Sequence, residues 1–196
     1  MSVKKLQRGD LYSLEDYALK RDEFRARVMA HKKDRVVAVG DHVTLYFEDY
    51  LTMRYQVQEM LRVEKIFEAR EIEEEIASYN PLIPDGGNWK ATMMIEYPDP
   101  RHRAARLREL VGIDAATWVR VGEHPKVHAI SNEDLERTTP DKTSAVHFLR
   151  FELSPEMAAA AAAGGAIEAG VTHDNYTASA TLSDAQRRSL LADLDI

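Results

Sequence analysis

The chain has 196 residues, 44% apolar and 30% charged, a composition able to bury a real core and ordinary for a soluble globular protein. With 33 acidic against 26 basic side chains the formal net charge is -7, and such a surface repels phosphate backbones, which disfavours general nucleic-acid binding. There is no cysteine, which excludes disulfides, thiol catalysis and cysteine-ligated metal or iron–sulfur clusters in this chain; a metal would need His, Asp, Glu or carbonyl ligands.

The opening segment, "MSVKKLQRGD", lacks the apolar stretch of a secretory signal. No apolar run approaches the roughly 20 residues of a membrane helix. The sequence therefore predicts a cytoplasmic protein with no membrane association. Ser13 with Asp16 resembles a capping box opening a helix through "LEDYALK", and Asp22 is placed to cap a second stretch, "EFRARVMAHKK". "RVVAVGDHVTLYFED" then reads as two β-rich runs around Gly40-Asp41, a hairpin in which Val43, Leu45 and Phe47 share one face and Thr44, Tyr46 and Glu48 the other. A long helix is expected from about Thr52 to about Ser78, ending in the acidic run "EIEEEIA". "YNPLIPDGGNWK" reads as a long ordered loop pinned by Leu82, Ile83 and Trp89.

"ATMMIEY" reads as a strand, followed by a helix capped by Asp99 and started by Pro100. "TWVRVGE" and "KVHAI" predict a hairpin, "SNEDLER" a short helix, and "SAVHFLRFEL" an apolar, central strand. Ser154-Pro155 opens an Ala-rich helix, "NYTASATL" suits an edge strand, and Ser183 with Gln186 caps a last helix. The expectation is one α+β domain over residues 1–196, with a mostly antiparallel sheet of five or more strands and packed helices. It comprises a helical segment at 10–33, a sheet-and-helix core at 35–153, and the two last helices within 154–196.

Taken together, "EFRARVMAHKK", "HVTLYFED", "MRYQVQEMLRVEKIF", "YNPLIPDGGNWKATMMIEY" and "DKTSAVHFLRFEL" resemble a bacterial family called domain of unknown function three thousand five hundred and one. The resemblance runs collinearly from about residue 6 to about residue 175. It implies no assigned activity or catalytic residues. It does imply a redox or oxidative-stress setting, with rubrerythrin-like proteins or iron–sulfur oxidoreductases as partners, since such genes often neighbour those of the family.

Two polar anomalies mark where chemistry would lie. In "TMRYQVQEMLRVEKIF" the apolar stripe is Met53, Val57, Met60, Leu61 and Phe67, and at about 100° per residue Gln56 and Glu64 fall on or beside it. A carboxylate there must be paired, protonated or open to a cavity. On the adjacent flank Glu59 and Arg62, three apart, are placed to pair. In "AVHFLRFEL", His147 shares a face with Ala145, Leu149 and Phe151, while Arg150 and Glu152 share the other with Val146 and Phe148. Structural pairing explains these groups most simply. The functional alternative makes Glu64 and His147 an acid–base pair, with Gln56, Glu59, Arg62, Asn88, Trp89 and Arg150 lining a ligand pocket at a helix–sheet junction. Asn88 and Trp89 belong to "PDGGNWK", where backbone N–H groups beside paired glycines can hold an anion and an indole can cover a planar ligand.

There is no metal-binding motif, although a site assembled from His42, Glu64 and His147 is conceivable. Three functional readings follow. The favoured one is an accessory protein that binds a small molecule or protein partner, with "EAREIEEE" as a solvated face or a docking strip for a basic partner. The second is a small-molecule enzyme using Glu64 and His147, and the third buries the polar groups of the long helix in a homodimer.

Overall fold

The computed structural model describes residues 4–196; Met1–Val3, the start of the segment read as lacking a signal peptide, lie outside the described residues. The fold is α+β with antiparallel sheets, as the alternation of hairpin signals and helical stretches predicts.

The first sheet has the order β1-β2-β3-β8, formed by Val36–Val39, Val43–Glu48, Asn88–Ile95 and Val146–Glu152. The second has the order β10-β9-β4-β5, formed by Tyr176–Thr181, Ile167–His173, Thr117–Val121 and Val127–His128. Between β5 and β8 a small ladder joins β6, Thr138–Thr139, to β7, Lys142–Thr143. Strand alternation sends Val43, Leu45 and Phe47 of β2, Trp89, Ala91 and Met93 of β3, and Leu149 and Phe151 of β8 into one core with Val119 and Val121 of β4 and Ile167, Ala169 and Val171 of β9. The two sheets thus share an apolar interior, with the Tyr176 hydroxyl donating to the Val39 carbonyl at 2.6 Å where β10 meets the first hairpin. Gly40 turns that hairpin with φ +74°, and a Cβ there would lie 2.6 Å from the Tyr176 hydroxyl oxygen.

Strand β8 ends the strand order of its sheet rather than lying at its centre. Its apolar composition has another cause: Leu149 and Phe151 face the inter-sheet core, and the outer edge is covered where Ile130 and Arg150 exchange two backbone hydrogen bonds of 2.8 and 2.9 Å.

Helix α1, Leu14–Lys33, is continuous, so Asp22 caps nothing; Ser13 accepts from the Asp16 N–H and starts it. Its buried side, Tyr17, Phe24 and Val28, forms a small aromatic cluster with Tyr12 and Tyr55. The long helix expected over 52–78 is two helices, α2 at Tyr50–Glu64 and α3 at Ala69–Tyr79. Asp49 and Thr52 form a reciprocal capping box at the start of α2. At its end Lys65 adopts the left-handed conformation, φ 56°, and both Lys65 and Ile66 donate backbone N–H groups to the Leu61 carbonyl. Ile66 folds back onto the cluster of Met53, Val57 and Leu61, the hydrophobic contact that accompanies such a stop.

Helix α4, Pro100–Glu109, is capped by Asp99 as expected, and helices α5, Pro155–Ala162, and α6, Asp184–Leu191, follow their serine caps. Strand β9 replaces what sequence pattern leaves undefined after the glycines. "SNEDLER" forms no helix: Ser131 and Asn132 turn their polar groups onto the buried Asp114 carboxylate, at 2.6 and 3.2 Å, and Arg137 pairs with Asp134.

Candidate functional site

The inner face of the first sheet is closed by the second sheet, and its outer face is only partly closed. Helices α2 and α3 lie over the outer face and leave a groove of about 440 Å³. Its floor comes from alternate positions on three neighbouring strands: Tyr46 and Glu48 of β2, Thr92 and Met94 of β3, and Val146 and Phe148 of β8. Met53 and Gln56 of α2 and Tyr79 of α3 form the wall, with Lys32, the only basic lining residue, at the C-terminal turn of α1. Leu82 and Phe148 also line a smaller adjoining hollow of about 160 Å³.

Glu48 is the unusual member. Because β2 runs straight into the Asp49 cap of α2, its side chain is enclosed beneath the helix, and the residue is only 7% exposed. One carboxylate oxygen accepts from the Thr92 hydroxyl at 2.8 Å. The other, Oε2, is buried without a hydrogen-bond partner, and no ion pair reaches Glu48 among the described residues. Such an oxygen carries a desolvation cost that only a donor offsets. Arg35, 1% exposed, is adjacent in the chain fold but is committed to the backbone carbonyls of Phe47 and Glu48 and to Asp193.

Glu48 carries the signal that sequence reading assigned to Glu64. It sits on the outer face of an alternating strand, a position that permits solvent, and nothing in the local pattern says that a helix covers it.

Glu64 is the last residue of α2 and is exposed, so it is not on a core-facing stripe; nor is Phe67, which is 69% exposed beyond the helix break. His147 is fully buried behind the sheet. Its Nε2 lies 2.9 Å from the Thr143 hydroxyl and 3.0 Å from the Ser144 carbonyl, and its Nδ1, with no hydrogen-bond partner, lies 4.0 Å from Asp114. Burial lowers its pKa, against the pull of Asp114. The structure therefore does not bring Glu64 and His147 together. His42 is elsewhere again, bonded through Nδ1 to the Glu96 carbonyl at 3.0 Å and stacked on Tyr97. Among the described residues no group of three or more His, Asp or Glu side chains is placed to hold a metal.

The other candidates divide between the groove and structural bonding. Gln56 lines the groove. Glu59 instead receives two hydrogen bonds from Arg21, at 2.8 and 2.9 Å, and one from the Tyr17 hydroxyl at 2.6 Å, tying α2 to α1. The Arg21 bonds hold its pKa down at about 2. Arg62 is exposed and approaches Glu59 only at 3.5 Å. Gln58, two residues from Gln56, is the buried amide of this helix, pairing both backbone groups of Tyr12. Asn88 is buried and shared between the Asp85 N–H and Glu152, each at 3.3 Å. Trp89 is buried in the core with its indole N–H on the Leu190 carbonyl at 3.0 Å, so it covers no surface loop. Arg150 lines the smaller hollow but is held by Glu133 and Glu152.

A further hollow of about 430 Å³ lies between the N-terminal segment and the α2–α3 break, lined by Leu11, Leu61, Ile66 and Phe67 among others. It encloses no unpartnered buried polar atom, so the Glu48 groove is the better chemical candidate.

The sequence profile of a family described as "Protein of unknown function (DUF3501)" matches residues 5–194. The chain is also similar to a novel protein of unknown function from Burkholderia pseudomallei K96243, known from a crystal structure. The identity is 48%, with 98% of this chain and 100% of the other covered and a TM-score of 0.93. None of the curated proteins matches the chain.

Proposed function

The chain belongs to the DUF3501 family, and from that premise we propose that it is an accessory protein that binds a small molecule in the groove between the first sheet and helices α2 and α3. The observation that carries this reading is the buried, unpartnered Glu48 Oε2 in a groove large enough for a small organic ligand. Gln56 and Thr92 add hydrogen-bonding groups, while Met53, Met94, Val146 and Phe148 supply apolar contact. This combination, mostly apolar walls with few convergent polar groups, is that of a ligand site. Binding without turnover fits the separation of Glu64 from His147. Ligand binding in the groove requires neither the rubrerythrin-like nor the iron–sulfur oxidoreductase partners implied by the family resemblance.

Native mass spectrometry of protein isolated from cells under gentle conditions tests it. The chain mass is 22.2 kDa, and the expected result is a stoichiometric low-mass adduct on it. Met94→Trp, which fills the groove, abolishes that adduct on this reading. An adduct retained at full occupancy by Met94→Trp places the ligand elsewhere.

A further inference from the structure

We infer that the ligand of the Glu48 groove is an organic cation, a molecule presenting a protonated amine or guanidinium on an apolar body; this rests on the groove being the binding site. Three features select that class. First, Oε2 of Glu48 lacks a donor, and the one hydrogen bond to its carboxylate among the described residues comes from the neutral Thr92 hydroxyl. An N–H donor carrying positive charge satisfies the hydrogen bond and the charge together, and charge-assisted bonds are the stronger kind. Second, the aromatic residues Tyr46, Tyr79 and Phe148 line the same space, and aromatic faces attract cations, the more so away from water. Third, the groove offers a single carboxylate with thioether and aromatic neighbours, a poor ligand set for a hard metal ion, which needs several oxygens.

The charged and titratable groups facing the Glu48 carboxylate are few. Tyr46 shares its strand, Lys90 stands opposite Glu48 on β3 with its ammonium turned onto the Pro81 carbonyl, Tyr79 comes from α3 and Lys32 from α1. Neither Lys32 nor Lys90, whose ammonium is taken up by the Pro81 carbonyl, forms an ion pair with Glu48 among the described residues. An anionic ligand would meet an unpaired buried carboxylate, and a neutral ligand would leave its charge unbalanced. The site therefore discriminates by charge as well as by shape.

Methyl-detected NMR reads this directly, because Met53 and Met94 line the groove. Protein labelled at the methionine methyls is titrated with phenethylamine, its neutral counterpart 3-phenylpropanol and its anionic counterpart 3-phenylpropionate. The expected result is saturable shifts of both methyls, with the amine binding at least about tenfold more tightly than either counterpart. Glu48→Gln removes that preference, and Thr92→Val, which retains the carboxylate, keeps it. Equal binding of the three probes, or a preference that survives in Glu48→Gln, overturns the cation assignment and leaves the groove reading standing. If no probe moves either methyl, both the groove reading and the cation assignment fall.

Discussion

The Thr92 hydroxyl donates to Glu48 at 2.8 Å across the β2–β3 pair, and among the described residues it is the only hydrogen bond that the buried Glu48 carboxylate receives. The two residues sit on the outer face of the first sheet, where a helix roofs them without supplying a second donor. This arrangement costs folding energy, and a bound donor would offset the cost.

The first prediction follows from that cost. Glu48→Gln keeps the shape and the Thr92 bond but removes the buried charge. The ligand-free protein is expected to gain about 1 kcal/mol, or about 2–4 °C in melting temperature. Thermal unfolding monitored by circular dichroism measures it. A loss of several degrees would mean that the carboxylate is satisfied by the chain itself.

Glu59 makes the opposite case. Its pKa is about 2 in the folded protein against an ordinary 4.5, held down by Arg21. The stability it contributes is fully present above pH 4.5 and is lost as pH falls from there toward 2. Glu59→Gln is expected to destabilise by about 1–3 kcal/mol at neutral pH, the range for losing charged hydrogen bonds at a partly exposed site. The difference from the wild type should shrink in denaturant melts taken below pH 4.5; a gap of constant size across that range would contradict the assignment.

Lys65 holds a left-handed backbone conformation at the end of α2, where a side chain is disfavoured. Lys65→Gly is therefore expected to stabilise by about 0.5–1 kcal/mol, less any loss from the greater freedom of glycine in the unfolded chain. Urea melts at matched slope provide the comparison. Clear destabilisation would show that α2 and α3 join as one helix in solution.

The Lys65 break also shows where the sequence is hard to read. The hairpin at Gly40, the caps at Asp99, Ser154 and Ser183, and the edge position of "NYTASATL" are legible because each depends on residues within a few positions of one another. The break at Lys65 involves neither glycine nor proline, and it is stabilised by the Ile66 N–H on the Leu61 carbonyl and by Ile66 packing on the cluster that holds Leu61, which no periodicity count contains. Reading the helix through that point put Glu64 and Phe67 on a buried stripe, whereas both are exposed. That the helix–sheet junction holds polar groups was legible, and Gln56 does line the groove there. Glu48 was not, because burial on the outer face of a strand depends on which distant element lies above it. The failed helix at "SNEDLER" has the same origin: Asp114, 17 residues before Ser131, takes the polar groups that a helix would have left free.

His147 gives a further pH signature. Burial lowers its pKa below the ordinary 6.5, so the folded protein holds it neutral while the unfolded chain binds a proton. Its contribution to stability is complete above pH 6.5 and declines as pH falls below that value. His147→Gln should flatten this part of the stability profile, and the His147 ring resonances should titrate below 6.5 in the native state. Titration at or above 6.5 would show that Asp114 outweighs burial at this ring.

The groove is tested most directly by crystallography with a fragment collection containing amines, neutral analogues and acids. The expected result is electron density between the outer face of the first sheet and helix α2, with a donor atom within hydrogen-bond distance of Glu48 Oε2. Fragments that occupy other hollows while the groove holds only water bonded to Glu48 would contradict the assignment of this groove as the ligand site.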